Sequence, residues 1–325
     1  MLVSIVVPVY NEEEALPAFH RSLIEVLTTL PHQFEVWYVA GGSTDHTSEL
    51  VRKWHQADPR AKLLELSRNY GHQQALTAGL DYARGDVVIS MDGDGQHPPA
   101  LIPDLLAAYD TGYDVVLTQR RTTEQIHFFT LLFSKMFYQL INRLSASDIV
   151  PDSADFRLLS REVVEDLRSL REQHRFLRGM VSWMGFQQTI IPFDAPPRLG
   201  GRTKYSLRKR FRLAVEAIFS FSIVPINLAI VMGFILLFLA ATQIFFVVIS
   251  LLAQGRNNFP PGWISLMLAI LVIGGTQMLT LGVIGYYVGM TFQESKRRPI
   301  YFVNKRLSTL KEQNTEIASQ HESEQ

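Results

Sequence analysis

Short apolar runs alternate with amphipathic segments along the first part of the chain. Helical periodicity, with apolar residues on one face, covers Glu12–Leu27 and His72–Ala83. The apolar runs have the length of buried strands and cover Val3–Val9, Phe34–Val39, Ala61–Leu66, Asp86–Ser90 and Asp114–Thr118. Strands that alternate with helices form a mostly parallel twisted sheet, so this pattern predicts an α/β domain.

Two long stretches without charge follow in the second half of the chain. No charged residue lies between Glu216 and Arg256, and none lies between Arg256 and Glu294. Each stretch exceeds the roughly 20 residues that are needed to cross a bilayer core. The sequence therefore predicts two transmembrane helices, near Asn227–Ala253 and Trp263–Met290, with two buried core helices as the alternative.

The charges around these stretches predict their orientation. Basic residues flank both spans on their outer sides, at Lys204, Arg208, Lys209, Arg210 and Arg212 and at Lys296, Arg297, Arg298, Lys305 and Arg306. The loop between the spans has only Arg256, so both termini are expected in the cytoplasm of a multi-pass inner-membrane protein. The chain has no cysteine, which agrees with a reducing compartment, and Met1 leads directly into a predicted strand rather than a secretory signal.

These patterns divide the 325 residues into four predicted segments. Residues 1–203 form a cytosolic α/β domain, 204–226 an amphipathic interfacial helix region, 227–292 the two spans with a short extracytoplasmic loop, and 293–325 a cytosolic tail. Basic amphipathic helices of this kind lie in the headgroup layer of a membrane. We expect the polar chain after Val303 to be poorly ordered. The zero net charge argues against a nucleic-acid-coating protein.

An acid pair follows the predicted strand Asp86–Ser90 at once, in Asp92-Gly93-Asp94. Carboxylate oxygens suit Mg²⁺ or Mn²⁺, which commonly leave positions open for substrate phosphates. The pair is therefore a candidate site for a cation that holds a diphosphate. A simple polar turn is the alternative, because Asp and Gly also dominate turns for backbone reasons.

Polar loops follow the other predicted strands as well. They are Pro8-Val9-Tyr10-Asn11-Glu12, Ala40-Gly41-Gly42-Ser43-Thr44-Asp45 and Ser67-Arg68-Asn69-Tyr70-Gly71-His72. In open α/β sheets, ligands bind outside the carboxyl ends of the strands. We therefore expect these loops and the acid pair to meet in one crevice.

Several ordered motifs resemble one known family. They are Val7–Glu13, Gly42-Ser43-Thr44-Asp45, Arg68–Gln73, Asp92-Gly93-Asp94 with Gln96, Asp155-Phe156-Arg157-Leu158, and Arg298-Pro299-Ile300-Tyr301. From about Ser4 to Val303 the chain is similar to family 2 of the inverting glycosyltransferases. More narrowly, it resembles the bacterial polyisoprenyl-phosphate glycosyltransferases, relatives of dolichyl-phosphate mannose synthase.

The resemblance implies a GT-A fold and the transfer of a sugar, with inversion, from a nucleotide-sugar to a polyprenyl phosphate such as undecaprenyl phosphate. A UDP-sugar is the expected donor, and a homotetramer the expected assembly. The implied ligands of Mg²⁺ or Mn²⁺ are Asp92, Asp94 and Gln96. The implied donor-binding residues are Pro8, Tyr10, Asn11, Glu12, Arg68 and Asp92. The implied catalytic residues are Asp155, Arg157 and Arg120, and the acceptor phosphate would contact Arg120, Arg198 and Lys204.

In the family, the aspartate that matches Asp155 is often assigned as the catalytic base. A phosphate monoester has a second pKa of about 6, so the acceptor is already largely ionised near neutral pH. We therefore expect Asp155 to orient Arg157 and the acceptor phosphate as much as to take a proton. The sequence leaves open whether Arg121, Arg175 and Arg178 bind phosphate or face solvent, and it favours ordinary polar roles for His72, His97 and His174.

One departure from the family pattern falls on the second loop, where Ala40-Gly41 replaces two aspartates. In relatives a carboxylate here accepts a ring N–H of the nucleotide base. Loss of a charge-assisted hydrogen bond weakens binding by about 1.5–3 kcal/mol. The sequence thus keeps a second hypothesis open, a catalytically weak homologue that binds nucleotide, lipid or a partner.

Overall fold

The computed structural model describes residues 1–121, 153–173, 175–196 and 262–310, together with isolated helical positions between 229 and 249. Of these, residues 1–121, 153–173, 175–196 and 299–310 form one compact unit. The helical positions between 229 and 249 and residues 262–298 belong to a second unit.

The first unit is built on a seven-stranded sheet of order β3-β2-β1-β4-β6-β5-β7. Strand β6 is antiparallel to both of its neighbours, β4 and β5, and the other pairs are parallel. The strands are β1 (Leu2–Val9), β2 (Gln33–Ala40), β3 (Ala61–Glu65), β4 (Val87–Ser90), β5 (Val115–Arg120), β6 (Ser153–Ser160) and β7 (Gln188–Phe193). The prediction of an α/β domain with a mostly parallel sheet is confirmed.

Helices pack against the sheet. They are α1 (Leu16–Thr29), α2 (Thr47–Ala57), α3 (His72–Tyr82), α4 (Ile102–Asp110), α5 (Arg161–Ser169) and α6 (Leu177–Trp183), and a 3₁₀ turn covers Pro99–Leu101. Helix α1 places Phe19, Leu23 and Leu27 in the core, where their burial supplies the main driving force for packing. Helix α1 starts four residues later than the predicted Glu12–Leu27 segment.

Helix α3 approaches the sheet closely because Gly79 has no side chain. A Cβ at Gly79 would lie 2.2 Å from Cγ1 of Val6, which is closer than real Cβ contacts come, and 3.0 Å from Cγ2 of Val39, which is a tight contact. Glycine at this helical position costs about 1 kcal/mol of helix propensity relative to alanine. The close packing fixes α3 on β1 and β2 and presents its first residue, His72, at the carboxyl ends of the strands.

The five predicted strands are all present, whereas β6 and β7 lie outside the predicted elements. Every residue of strand β6 is buried, and the strand pairs with β4 and β5, which are separated from it along the chain. Such pairing depends on the tertiary fold. The alternation of apolar runs and amphipathic segments along the chain therefore does not predict which distant strands pair with β6.

The expectation that the chain after Val303 is poorly ordered is wrong for the described residues 304–310. Val303 forms an antiparallel bridge with Leu66. Beyond it, Asn304 N–H donates to the carbonyl of Glu65 and Thr309 N–H donates to that of Leu63. The segment is held by main-chain and hydroxyl hydrogen bonds to a distant strand, so its polar composition gave no sign of order.

The second unit contains helix α7 (Trp263–Ser295). Within the described ranges, Val272–Ser295 is the one helical stretch long and apolar enough to cross a bilayer. It overlaps the second predicted span. The first predicted span is described only at isolated positions, and the predicted interfacial helix 204–226 lies outside the described residues. Two spans therefore remain a prediction.

Candidate active site

The loops after β1 and β2 are joined by side-chain hydrogen bonds. Oδ1 of Asn11 accepts from the N–H of Thr44 (2.8 Å), and the N–H of Asn11 donates to Oγ of Ser43 (3.2 Å). The N–H of Glu12 donates to Oγ1 of Thr47 (2.9 Å). Asn11 has a φ of 53°, which Asn tolerates better than most residues. These bonds hold Glu12 in a turn and explain why α1 begins only at Leu16.

The loop after β3 packs against the same edge. Gly42 has a φ of 67°, and a Cβ there would lie 3.1 Å from the main chain of Arg68. The guanidinium of Arg68 lies 4.4 Å from the centre of the Tyr70 ring, a cation–π contact. A Cβ at Gly41 would have Tyr10 and Asn69 as its nearest side chains, at 3.9 and 4.0 Å. Three strand-end loops thus meet, as predicted.

The acid pair lies at the end of β4, next to these loops. Oδ1 of Asp94 accepts from the N–H of Gln96 (3.0 Å), and the Asp92 side chain is 29% exposed. No group of three acidic or histidine side chains in the described part of the chain could enclose a cation. Two carboxylates fit a Mg²⁺ or Mn²⁺ ion that takes its remaining ligands from a diphosphate and water. Asp92, Asp94 and Gln96 therefore fit such an ion as an open site.

His97 supports Asp92 from inside the domain. Its ring is almost fully buried and Nδ1 accepts the main-chain N–H of Asp92 (2.8 Å), so Nε2 carries the proton of the neutral ring. Burial lowers the pKa of His97, against the charge of Asp92, and favours this neutral form. Nη2 of Arg120, at the end of β5, lies 3.4 Å from Nε2. Both atoms are then donors, so this is a contact and not a hydrogen bond.

Asp155 lies on β6 and is the centre of a buried network. Arg157 Nη2 donates to its Oδ1, and Arg178 on α6 donates from Nε (2.9 Å) and Nη2 (3.1 Å) to its two oxygens. Gln73 Nε2 lies 3.4 Å from Oδ2. Burial alone would raise the pKa of Asp155, but Arg178, His72 and Arg157 together hold it well below its ordinary value. The carboxylate is therefore a poor proton acceptor near neutral pH.

His72 lies between the two acidic centres. Its Nε2 is 3.3 Å from Oδ2 of Asp155 and 3.6 Å from Oδ1 of Asp92. Burial lowers the pKa of His72, but the hydrogen bond to Asp155 and the charge of Asp92 outweigh burial and raise it overall. One imidazole thus connects the end of β4 with β6.

The structure brings together most of the predicted site residues that it describes. Asp92, Asp155, Arg157 and Arg120 surround the two histidines, and Arg68 lies in the neighbouring loop. Pro8 is on β1 opposite Val39. Arg198 and Lys204 lie outside the described residues, as does His174.

Four residues of the site were not predicted to have a role: His72, His97, Gln73 and Arg178. His72 and His97, which the sequence treats as ordinary polar residues, both flank Asp92. A solvent-facing role is wrong for Arg178, which binds Asp155. It is also wrong for Arg175, which is buried and donates to the carbonyls of Leu170 and Leu167. Arg121 is exposed beside Asp194.

The described site has a mostly parallel sheet, converging strand-end loops and an acid pair after the fourth strand, which is the organisation of a GT-A glycosyltransferase. The family model for glycosyl transferase family 2 matches residues 4–168. An uncharacterized glycosyltransferase from Synechocystis sp. is 40% identical over 93% of this chain and 94% of its own length. The bactoprenol glucosyl transferase of Shigella phage SfV is 37% identical over 93% of this chain and 98% of its own.

The chain therefore belongs to glycosyl transferase family 2, and the predicted resemblance is confirmed. Among solved structures, mannosyl-3-phosphoglycerate synthase from Rubrobacter xylanophilus is 16% identical. It has a TM-score of 0.48 and covers 81% of this chain and 80% of its own.

Proposed function

We propose that this enzyme transfers a sugar from a nucleotide-sugar to a polyprenyl phosphate, with inversion at the anomeric carbon, on the cytoplasmic face of the membrane. The observation that carries the proposal is the position of His72 within 3.6 Å of Asp92 and 3.3 Å of Asp155. Asp92 belongs to the acid pair that suits a diphosphate-bound cation. Asp155 belongs to a cluster of guanidinium groups that suits a phosphate.

The donor half of the site consists of the strand-end loops. Asp92, Asp94 and Gln96 would hold Mg²⁺ or Mn²⁺, which when bound neutralises charge on the departing nucleoside diphosphate. Pro8, Tyr10, Asn11, Glu12 and Arg68 line the edge where a nucleotide would lie. The expected donor is a UDP-sugar.

The acceptor half is assigned to Arg120, Arg157 and Arg178, with Arg198 and Lys204 as further candidates from the sequence. Guanidinium groups bind two phosphate oxygens at once. An ionised phosphate oxygen of the lipid attacks the anomeric carbon, and the bond from that carbon to the diphosphate oxygen breaks, so the electron pair leaves with the nucleotide. The acceptor has already lost its proton, because its second pKa is about 6. Asp155 therefore holds Arg157 and Arg178 in position instead of acting as a base.

The lipid acceptor is also supported by the family relatives. The Shigella phage SfV relative is named a bactoprenol glucosyl transferase. Helix Val272–Ser295 could anchor the chain in the membrane where such a lipid phosphate is found. The second span, the cytoplasmic orientation and the homotetramer remain predictions.

A second candidate function, a weak homologue that binds without much turnover, is favoured by Ala40-Gly41. Ala40 is fully buried at the end of β2, and Gly41 N–H donates to the carbonyl of Val9. No carboxylate is present at either position to accept a base N–H. The retained Asp92, Asp94, Gln96, Asp155 and Arg157 favour the active transferase.

The two candidates differ in turnover. Purified protein in detergent, with Mn²⁺, undecaprenyl phosphate and a panel of UDP- and GDP-sugars, should form a glycolipid and release a nucleoside diphosphate. Arg120→Gln should lower this rate strongly, whereas the adjacent control Arg121→Gln, which loses only an exposed contact with Asp194, should not. Nucleotide binding without transfer by any donor would favour the weak homologue, and equal activity of the two variants would contradict the role of Arg120.

A further inference from the structure

The segment Pro299–Leu310, which we call the C-terminal strap, belongs to the first unit although it follows helix α7 in the chain. Its start is anchored by Tyr301, whose hydroxyl donates to Oδ2 of Asp81 on α3 (2.7 Å). Arg171 donates to the same oxygen (2.8 Å) from the protein surface. The motif Arg298-Pro299-Ile300-Tyr301 thus ends in a hydrogen bond to Asp81 that has no part in the proposed reaction.

The strap then runs along the outer edge of β3. The N–H of Asn304 donates to the carbonyl of Glu65 (2.7 Å), and that of Thr309 donates to the carbonyl of Leu63 (2.9 Å). In return, the N–H of Leu63 donates to Oγ1 of Thr309 (2.8 Å) and the N–H of Glu65 donates to Oγ of Ser308 (2.9 Å). The strap therefore occupies hydrogen-bonding groups that an edge strand otherwise leaves exposed.

At the carboxyl end of β3 the strap reaches the loop that contains Arg68. The N–H of Ser67 donates to the carbonyl of Phe302 (2.8 Å). Oγ of Ser67 is 2.9 Å from the hydroxyl of Tyr70, and Arg68 stacks on the Tyr70 ring. The main chain of the strap thus fixes Ser67, and Ser67 fixes the aromatic ring that supports Arg68.

We propose that the C-terminal strap is a positioning element of the donor site, which holds the Ser67–Gly71 loop so that Arg68 can contact the nucleotide diphosphate. This inference rests on the proposed function, because it requires that the site binds a nucleotide. Without the strap the loop keeps its sequence but loses its outer hydrogen bonds. An ordered guanidinium binds more tightly than a mobile one because less conformational entropy is lost on binding.

Two neighbouring proline substitutions in the full-length chain test this role. Asn304→Pro removes the N–H that donates to Glu65 and interrupts the pairing with β3. Lys305→Pro is the control, because the N–H of Leu307 donates to the carbonyl of Asn304 and makes Lys305 the second residue of a turn, where proline is favoured. Calorimetry with Mn²⁺ and UDP, or GDP if the wild type prefers it, gives the Kd for each variant. Hydrogen exchange reports the Ser67 amide.

Asn304→Pro should raise the nucleotide Kd about tenfold, the loss expected for one charge-assisted hydrogen bond. It should also speed exchange at Ser67, while Lys305→Pro keeps wild-type values. A general loss of fold would lower the number of binding sites per chain instead of the affinity of each. An unchanged Kd in Asn304→Pro, or an equal loss in Lys305→Pro, overturns the inference and leaves the proposed function standing. A wild-type chain that binds neither UDP nor GDP removes the proposed function and the inference together.

Discussion

Nε2 of His72 lies 3.3 Å from Oδ2 of Asp155, on a strand far from it in the chain. The same nitrogen is 3.6 Å from Oδ1 of Asp92. The carboxylates of Asp92 and Asp155 both lie close to the His72 ring, and a proton on that ring offsets the repulsion between them. In the proposed reaction, the His72 ring fixes the position of Asp92 in the donor half of the site relative to Asp155 in the acceptor half.

The first prediction concerns this ring. His72→Ala should lower the transfer rate by roughly 10- to 100-fold, the usual effect of removing a group that orients a metal-binding carboxylate. His72→Gln should recover much of that loss, because its side-chain amide nitrogen can donate from near the position of Nε2. Steady-state transfer rates at saturating Mn²⁺ compare the variants, and Mn²⁺ binding followed by electron paramagnetic resonance gives a second readout. Equal rates in wild type and His72→Ala would exclude the positioning role.

Asp155→Asn should destabilise the fold as well as abolish transfer. Arg157 and Arg178 would lose their carboxylate, and breaking a buried ion pair typically costs roughly 3–5 kcal/mol. The folded-state pKa of Asp155 lies well below its ordinary value of 3.8. Its stabilising effect is therefore complete above pH 3.8 and is lost as the pH falls further, towards the folded-state pKa.

The measurement for this prediction is the free energy of unfolding of wild type and Asp155→Asn as a function of pH. Their difference should grow as the pH falls through the titration of His72, because Asp155 raises the pKa of His72 above 6.5, and it should shrink again below about pH 4. Asp194→Asn, which removes an exposed partner of Arg121, is the control and should match wild type. A difference that does not shrink below about pH 4 would contradict the assigned ionisation of Asp155.

Gly41→Asp should tighten nucleotide binding. A Cβ at position 41 meets its nearest atoms at 3.9–4.0 Å, an ordinary contact distance, so the substitution is accommodated. A restored charge-assisted hydrogen bond to the base would improve the Kd for UDP by roughly tenfold or more. The matched control is Gly42→Asp, which should weaken binding because Gly42 has a φ of 67° and its Cβ would press on Arg68. Calorimetric titration distinguishes these outcomes, and unchanged affinity in Gly41→Asp would show that this loop does not reach the base.

His20 should make the domain less stable in mild acid. Its ring stacks on Trp54 at 3.9 Å and Nδ1 is 2.7 Å from the Tyr38 hydroxyl. Burial lowers the pKa of His20 from 6.5 to about 4, although Asp58 opposes the shift. The unfolded chain therefore takes up the proton first, and stability falls as the pH drops from 6.5 towards 4.

Unfolding experiments from pH 7 to 4 measure this effect. His20→Asn does not titrate in this range, and its side-chain amide lies near the position of Nδ1 and can still bond the Tyr38 hydroxyl, so the stability of this variant should depend less on pH than that of wild type. If the stability of the two proteins depended on pH in the same way, the lowered pKa of His20 would be contradicted.

Local sequence was sufficient to predict that the strand-end loops and the acid pair meet at one edge of the sheet. Asp92 and Asp94 directly follow a buried strand, and the parallel sheet brings the other strand-end loops to the same edge. The roles of His72 and Arg178 were not predictable in this way. Arg178 reaches Asp155 from a helix 23 residues further along the chain, and nothing in its own neighbourhood indicates that contact.

The strap is a second case in which local pattern was misleading. Asn304, Ser308 and Thr309 are polar residues without helical or strand periodicity. Their order comes from hydrogen bonds to β3, which is more than 240 residues away along the chain. The pattern of apolar residues in a segment predicts which side chains are buried. It cannot predict the order of a segment that is held by polar hydrogen bonds.

The central claim is that one site holds a nucleotide-sugar and a lipid phosphate at the same time. Mass spectrometry of the lipid, after incubation of purified protein with Mn²⁺, undecaprenyl phosphate and each donor of the panel, tests it most directly. We predict one sugar added to undecaprenyl phosphate by wild type with at least one donor, and none by Asp92→Asn or Asp94→Asn. The claim would be contradicted if wild type formed no glycolipid with any donor, or if the two variants formed as much as wild type.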